Sequence, residues 1–308
     1  MRAGASRVLA LRLATLAAVG ACSPTVVIGV LGGRPDGGGD PGDAQTDATV
    51  DAERDAQGDG LADVQVDAQG DAQGCPGSGL DAAPTPDPDA SVGAWTTGFE
   101  DRFCDYASPR GFCYAAGPAS YSLVTSPVHS GKYAAAFTAQ GVGDASVGAG
   151  QARCVEQGVF PSAAYYGAWY YVPAEAANSG TYNLFHFQGA ATGMAGSSLW
   201  DVSLVNTSAG GPLHLILYDF LNGMVPNANA VPPIPIGQWF HIEVYFKRAK
   251  DATGTLTLLQ DGMMAVNLTG LVTDPTDWGQ WYVGIWADSL TPPATTIYVD
   301  DVSVAFTQ

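Results

Sequence analysis

The chain has 308 residues, with 30 Asp and Glu against 12 Lys and Arg and a formal net charge of −18. Nucleic-acid affinity rests on clustered Lys and Arg that displace counterions, so this balance excludes a generic phosphate-binding surface, and no nucleic-acid partner is expected. No G-x-x-x-x-G-K-S/T, H-E-x-x-H, G-x-S-x-G or dinucleotide glycine fingerprint occurs, which removes P-loop phosphoryl transfer, zincin and α/β-hydrolase chemistry.

The N-terminus has the charge order of an export signal. Arg2, Arg7 and Arg12 precede a short apolar run, Leu13 to Ala21, which is too short to span a bilayer unaided. Val19-Gly20-Ala21-Cys22 resembles a bacterial lipobox, in which cleavage before the cysteine leaves it carrying the lipid anchor. The resemblance implies a signal peptide over 1–21 and a lipoprotein held to the bilayer through acyl chains on Cys22. Ser23 in place of Asp implies an outer-membrane address in the cell envelope, facing periplasm or cell surface. A plain signal peptide and a membrane helix are the alternatives.

Residues 22–93 read as a lipidated N-terminus followed by a disordered tether. Every Phe, Tyr and Trp lies beyond residue 90, so this segment cannot bury a core. Aspartate recurs every four positions from Asp43 to Asp71. On a helix these carboxylates would stack as like charges at i and i+4, and the glycines at 58, 60, 70 and 74 weaken a helix further. A flexible chain of about 57 residues spans roughly 40 Å, enough to hold a domain off the lipid surface. Asp55, Asp59 and Asp63 offer calcium binding as the alternative, without the D-x-D alternation of acidic calcium loops.

With Cys22 lipidated, Cys75, Cys104, Cys113 and Cys154 remain, an even number suited to an oxidising compartment and open to three pairings. Cys104 with Cys113 is the favoured pair because the two bracket a Gly- and Pro-containing loop. Cys75 would then pair with Cys154.

Residues 94–308 read as an all-β, antiparallel β-sandwich of jelly-roll type. Strand-like runs are Ala164 to Val172, Tyr182 to Gln188, Leu199 to Val205, Leu213 to Asp219, Trp239 to Lys247, Thr255 to Gln260, Met263 to Leu268, Trp281 to Ala287 and Thr296 to Phe306. The clearest alternation places Phe240, Ile242, Val244 and Phe246 on a core face, with His241, Glu243, Tyr245 and Lys247 on a wet one. Asp261-Gly262 between two apolar runs predicts a hairpin.

The run Gly237 to Lys247, then Gly254 to Gly262, Tyr282 to Trp286 and Ile297 to Val302, resembles the concanavalin A-like lectin and glucanase superfamily, and within it the polysaccharide-lyase branch. Gly98-Phe-Glu-Asp101 and Ser130-Gly-Lys-Tyr-Ala134 fit the same pattern. A galactose-binding-like jelly roll is the alternative fold. The resemblance implies a carbohydrate-binding domain on a surface lipoprotein, with polysaccharide as partner. The alternatives are a polysaccharide lyase acting on a uronate glycan by β-elimination and a non-catalytic structural or adhesive domain.

The E-x-D-x-x-E carboxylate strand of the superfamily's glucanases is absent, which disfavours retaining glycoside hydrolysis. A lyase needs a cation or amide on the uronate carboxylate, a base for the C5 proton and an acid for the leaving O4. Alginate lyase-like proteins supply these from an Arg-bearing strand, a Gln-x-His pair and a late-strand Tyr. By that resemblance the candidates are Arg153, His186, Gln188 and Tyr282. His186 and Gln188 stand in reversed order, Glu156 follows Arg153 at a spacing of three, and Trp286 occupies the late tyrosine position. The i, i+2 spacing puts His186 and Gln188 on one sheet face. A sugar cleft on one concave sheet would be lined by His186, Gln188, Trp200, His214, Tyr218 and Trp286, rings covering sugar faces and polar groups meeting hydroxyls. In domains of this kind the first and last strands lie side by side, which would bring Glu100 to Asp300 and Asp301, a set suited to a structural calcium ion.

Overall fold

The computed structural model describes residues 91–106, 110–140, 149–174, 179–190, 196–206, 210–223, 231–291 and 293–306. The expected signal peptide, Cys22, Cys75 and the Asp-rich tether lie outside the described residues.

In chain order the strands are β1 (Trp95–Thr97), β2 (Gly111–Ala116), β3 (Ala119–Val124), β4 (Ala134–Gln140), β5 (Gly150–Gly158), β6 (Ala163–Tyr171), β7 (Ser179–Ala190), β8 (Ser197–Asn206), β9 (Leu213–Asp219), β10 (Trp239–Lys247), β11 (Gly254–Gln260), β12 (Met263–Leu271), β13 (Trp278–Thr291) and β14 (Ala294–Ala305). The strands β9 and β10 match their predicted runs end to end. The first five strands carry little local signal: β4 reads Ala-Ala-Ala-Phe-Thr-Ala-Gln, and β5 is mostly small and polar. Their partners impose the extended state that their own propensities do not.

Two antiparallel sheets form the expected sandwich. One has eight strands, β12-β11-β10-β6-β14-β4-β3 with β1 also on β14, and the other six, β2-β5-β13-β7-β8-β9. Alternation sets what each contributes inward. From β10, Phe240, Ile242, Val244 and Phe246 enter the core, and from β6, Tyr166 and Tyr170. The six-stranded sheet answers with Phe185, Phe187, Trp200 and Trp281. Tyr166 meets Trp281 edge-on at 5.2 Å, and Phe187 stacks on Trp200 at 5.5 Å. Each fully buried large side chain of this kind stabilises the fold by about 1.5–3 kcal/mol. The Asp261-Gly262 hairpin is present, both residues at positive φ (50° and 76°), as a two-residue turn matched to strand twist requires.

Two features tie the sandwich together. Cys113 and Cys154 lie directly opposite one another on β2 and β5 and form a disulfide. This corrects both expected pairings, Cys104 with Cys113 and Cys75 with Cys154. Loop closure favoured Cys104, but cross-strand register puts Cys154 opposite Cys113 with a Cα separation of 4.0 Å. Cys104 is also disulfide-bonded. Elsewhere, Arg248 after β10 pairs through Nε with Asp274 Oδ2 at 2.5 Å and donates to the Phe160 carbonyl at 2.9 Å, joining three connections. Asp274 is fully buried and also accepts from Thr276 N at 2.7 Å.

Candidate functional site

The face of the six-stranded sheet turned away from the core carries a row of polar side chains in register. His186 on β7 lies opposite Asp201 on β8 and Tyr282 on β13, and Asp201 lies opposite Tyr218 on the edge strand β9. In the next row Gln188 opposes Gln280, which opposes Gln157 on β5. These side chains contact one another. The His186 Nδ1 bonds the Asp201 carboxylate, and the two rings of His186 and Tyr282 are 5.2 Å apart. The Tyr282 hydroxyl lies 2.6 Å from Gln280 Oε1 and 3.1 Å from Gln188 Oε1, and donates its single proton to one of them at a time.

Arg153 reaches this cluster across β13. Its register partner there is Gly284, at φ 139° beside a bulge, where a Cβ would stand 2.4 Å from the Ala152 carbonyl, so only glycine allows the two backbones to approach so closely. The Arg153 guanidinium packs over the Tyr282 ring at 5.5 Å and donates to Asn183 Oδ1 on β7 at 3.0 Å. Arg153, Asn183, His186, Gln188, Gln280 and Tyr282 are all buried, so the array is a close-packed floor in which a bound anion would meet little competing water.

Of the sequence-predicted residues, the structure brings together Arg153, His186, Gln188 and Tyr282. Trp286 lies on the same face, opposite Gln151 and Asn183, and Tyr218 closes the His186 row. His214 shares that face but stands four residues from Tyr218 along β9, beyond Ile216, and takes no part in the cluster. Trp200 is a correction: it is fully buried in the core against Phe187 and Phe246. The signal was in the sequence, because Trp200, Val202 and Leu204 alternate with Asp201 and Ser203, so the tryptophan shares the apolar parity. The same alternation exposes two residues that were missed, Asp201 and Gln280, each on the polar parity of its strand; Asn183 shares the odd parity of the core residues Phe185 and Phe187 and joins the polar face through the irregularity between Asn183 and Phe185.

Glu156 is a second correction to the Arg-bearing strand. An odd spacing from Arg153 turns it to the opposite face of β5, into the core, where neither carboxylate oxygen has a hydrogen-bond partner among the described residues. Burial pushes its pKa up to about 8, with Arg110 opposing and Asp105 adding to the rise. The folded protein thus keeps this proton over a range, from the ordinary 4.5 to about 8, in which the unfolded chain releases it. Its contribution to stability is full at low pH and falls across that window, by up to about 1.4 kcal/mol per pH unit. Urea unfolding at intervals across the window should show this slope, and Glu156→Gln should flatten it. An unchanged slope in the variant would assign the pH dependence elsewhere.

The expected meeting of the chain ends occurs. Strand β14 pairs with β4 as far as Val299 and with β1 from Val302, leaving Asp300 and Asp301 in the gap. Backbone donors fill it: Asp300 Oδ2 accepts from His129 N at 2.9 Å and Ser130 N at 3.2 Å. Glu100 Oε1 accepts from Lys132 N at 2.6 Å and Tyr133 N at 3.0 Å, which holds its pKa below the usual carboxylate range. Asp301 pairs with His129 Nδ1 at 2.6 Å. Each of Glu100, Asp300 and Asp301 is thus met by a backbone or side-chain donor where the three approach one another. Among the described residues no group of three or more His, Cys, Asp or Glu side chains could hold a metal ion.

No protein-family model matches the chain, and no curated protein matches it. Among solved structures, an endo-β-1,4-glucuronan lyase from the fungus Trichoderma reesei is similar at 16% identity, over 69% of this chain and 95% of that one, with a TM-score of 0.53. An alginate lyase, Aly36B, is similar at 12% identity over 71% and 99% with a TM-score of 0.47. The alginate lyase vAL-1 from Chlorella virus is similar at 12% identity over 68% and 98% with a TM-score of 0.45. The chain shares the β-sandwich fold of the glucuronan lyase. At these identities the likeness is one of fold, and activity has to be argued from the site.

Proposed function

We propose that the outer face of the six-stranded sheet binds a uronate-containing polysaccharide and cleaves it by β-elimination. The observation that carries this reading is the convergence of Arg153, His186, Gln188 and Tyr282, from β5, β7 and β13, on one patch. Arg153, with the Gln188 amide, would neutralise the uronate carboxylate and so acidify the C5 proton. His186, whose Nδ1 is committed to Asp201, takes that proton on Nε2. The C5 electron pair becomes the C4–C5 double bond, the C4–O4 bond breaks, and Tyr282 gives its proton to the departing O4. The products are a 4,5-unsaturated uronate end and a new reducing end.

Binding without cleavage is the second reading, favoured by one feature: the Tyr282 hydroxyl is already engaged by Gln280 and Gln188. Incubating the full chain with alginate, polyglucuronate and pectate while following ultraviolet absorbance separates the two. Absorbance growth on any of the three supports the lyase. Retention on the polymer without absorbance supports the binder, and neither result on any of them would overturn both readings of this face.

We also propose anchoring of the chain to the bacterial envelope through acyl chains on Cys22, supported by the lipobox-like Val19 to Cys22. Expression of Cys22→Ser should move the protein from the detergent-dependent membrane fraction to the soluble one. Unchanged partitioning would rule out the lipid.

A further inference from the structure

The eight-stranded sheet also presents an outer face, and its composition is unusual for a solvated strand surface. On β6, Tyr165, Gly167, Trp169 and Tyr171 alternate with the core residues Ala164, Tyr166, Ala168 and Tyr170. On β10, Trp239, His241, Glu243 and Tyr245 alternate in the same way with the core residues of that strand. Register sets Trp239 beside Tyr171, His241 beside Trp169, Glu243 beside Gly167 and Tyr245 beside Tyr165.

The rings form two groups. In the first, the His129 ring stacks on Trp169 at 3.8 Å and 16°, Trp239 meets Tyr171 at 5.6 Å, and Tyr171 meets Tyr298 at 5.9 Å. In the second, Tyr165 meets Tyr245 at 4.9 Å. Between them lies Gly167, where a Cβ would stand 3.0 Å from His241 Nε2 and 3.3 Å from Ser303 Oγ, so that these two polar side chains close over the glycine and separate the aromatic groups. None of the six Trp and Tyr rings belongs to the hydrophobic core, and all are half-buried.

Core packing therefore does not account for these rings. Ordinary outward strand positions carry Thr, Lys or Glu, whereas flat rings beside hydrogen-bonding groups suit a ligand that is apolar on its ring faces and hydroxylated at its edges, which is a sugar. Charge narrows the class. The carboxylates of Glu243, Asp261 and Asp301 lie around His241, Lys247 stands at the far end of β10, and neither β6 nor β10 contains an arginine. A polyuronate would meet like charge here, in contrast to the Arg153 face. We infer that the outer face of the eight-stranded sheet is a second glycan-binding surface, and that its ligand is a neutral polysaccharide chain lying over the two aromatic groups and the His241 and Ser303 side chains between them.

The test is affinity electrophoresis of the full chain through gels containing soluble β-glucan, xylan or mannan. At least one should retard the wild-type protein, and Trp169→Ala should weaken that retardation about tenfold or more at an unchanged melting temperature. Tyr245→Ala, in the other aromatic group, gives a second reading should Trp169→Ala fold poorly. His186→Ala should leave retardation unchanged, which separates this surface from the proposed uronate site whatever becomes of that proposal. The inference is overturned if none of the three glycans retards the wild-type chain, if retardation survives both aromatic substitutions, or if it disappears with His186→Ala. It is equally overturned if the face instead buries a second copy of the chain, seen as a dimer that Trp169→Ala dissociates.

Discussion

Replacing His186 by alanine should lower β-elimination on the responsive polyuronate by about 10²- to 10⁴-fold, the range associated with removing a positioned general base. The loss should fall on kcat rather than KM, because the imidazole acts on the C5 proton while Arg153 and Gln188 hold the carboxylate. Asp201→Asn should produce a smaller loss together with a changed pH profile. The carboxylate at Nδ1 fixes the tautomer that leaves Nε2 to accept a proton, and an amide can present its N–H there instead. Single-turnover absorbance and a pH series on both variants would measure this. A His186→Ala enzyme with full turnover would remove the histidine from the chemistry. The same variant with normal melting and no turnover would confine the defect to the site.

The largest stability effect should come from Arg248. Its guanidinium is nearly buried against Asp274, which has no exposed side-chain surface. Arg248→Met leaves that carboxylate uncompensated and removes a donor from the Phe160 carbonyl, so unfolding should become easier by about 3–5 kcal/mol. For a domain of this size that corresponds to roughly 10 °C in melting temperature. The double variant Arg248→Met with Asp274→Leu should recover part of the loss, since two apolar groups need no charge partner, though the Phe160 carbonyl remains unpaired. Denaturant titration of the wild type, the single variants Arg248→Met and Asp274→Leu and the double variant decides it. Additive single and double effects would show that the pair is not coupled.

How far the sequence reached differs from strand to strand. Strands β9 and β10 were legible because Leu213, Leu215 and Leu217, and Phe240, Ile242, Val244 and Phe246, recur at every second position, and that period alone fixes which side faces the core. The same logic, applied to Trp200 and Asp201, would have sent the tryptophan inward and the aspartate to the site. The Ala-rich β4 and the small, polar β5 were not legible, since their extended state comes from hydrogen bonding to neighbours distant in sequence.

The sequence by itself determined the all-β character, the hairpin at Asp261-Gly262, the shared face of His186 and Gln188, and the net charge of −18. Each follows from composition or from local spacing. Only the tertiary structure decided that Cys113 meets Cys154, that Arg153 reaches Asn183 across β13, and that Tyr282 stands beside His186. It also decided that Glu156 lies buried while Asp300 is met by backbone donors. These depend on register between strands far apart in the chain. Shifting a strand by one residue turns every side chain on it to the other face, and the choice of register is made by the whole packed core rather than by any local run.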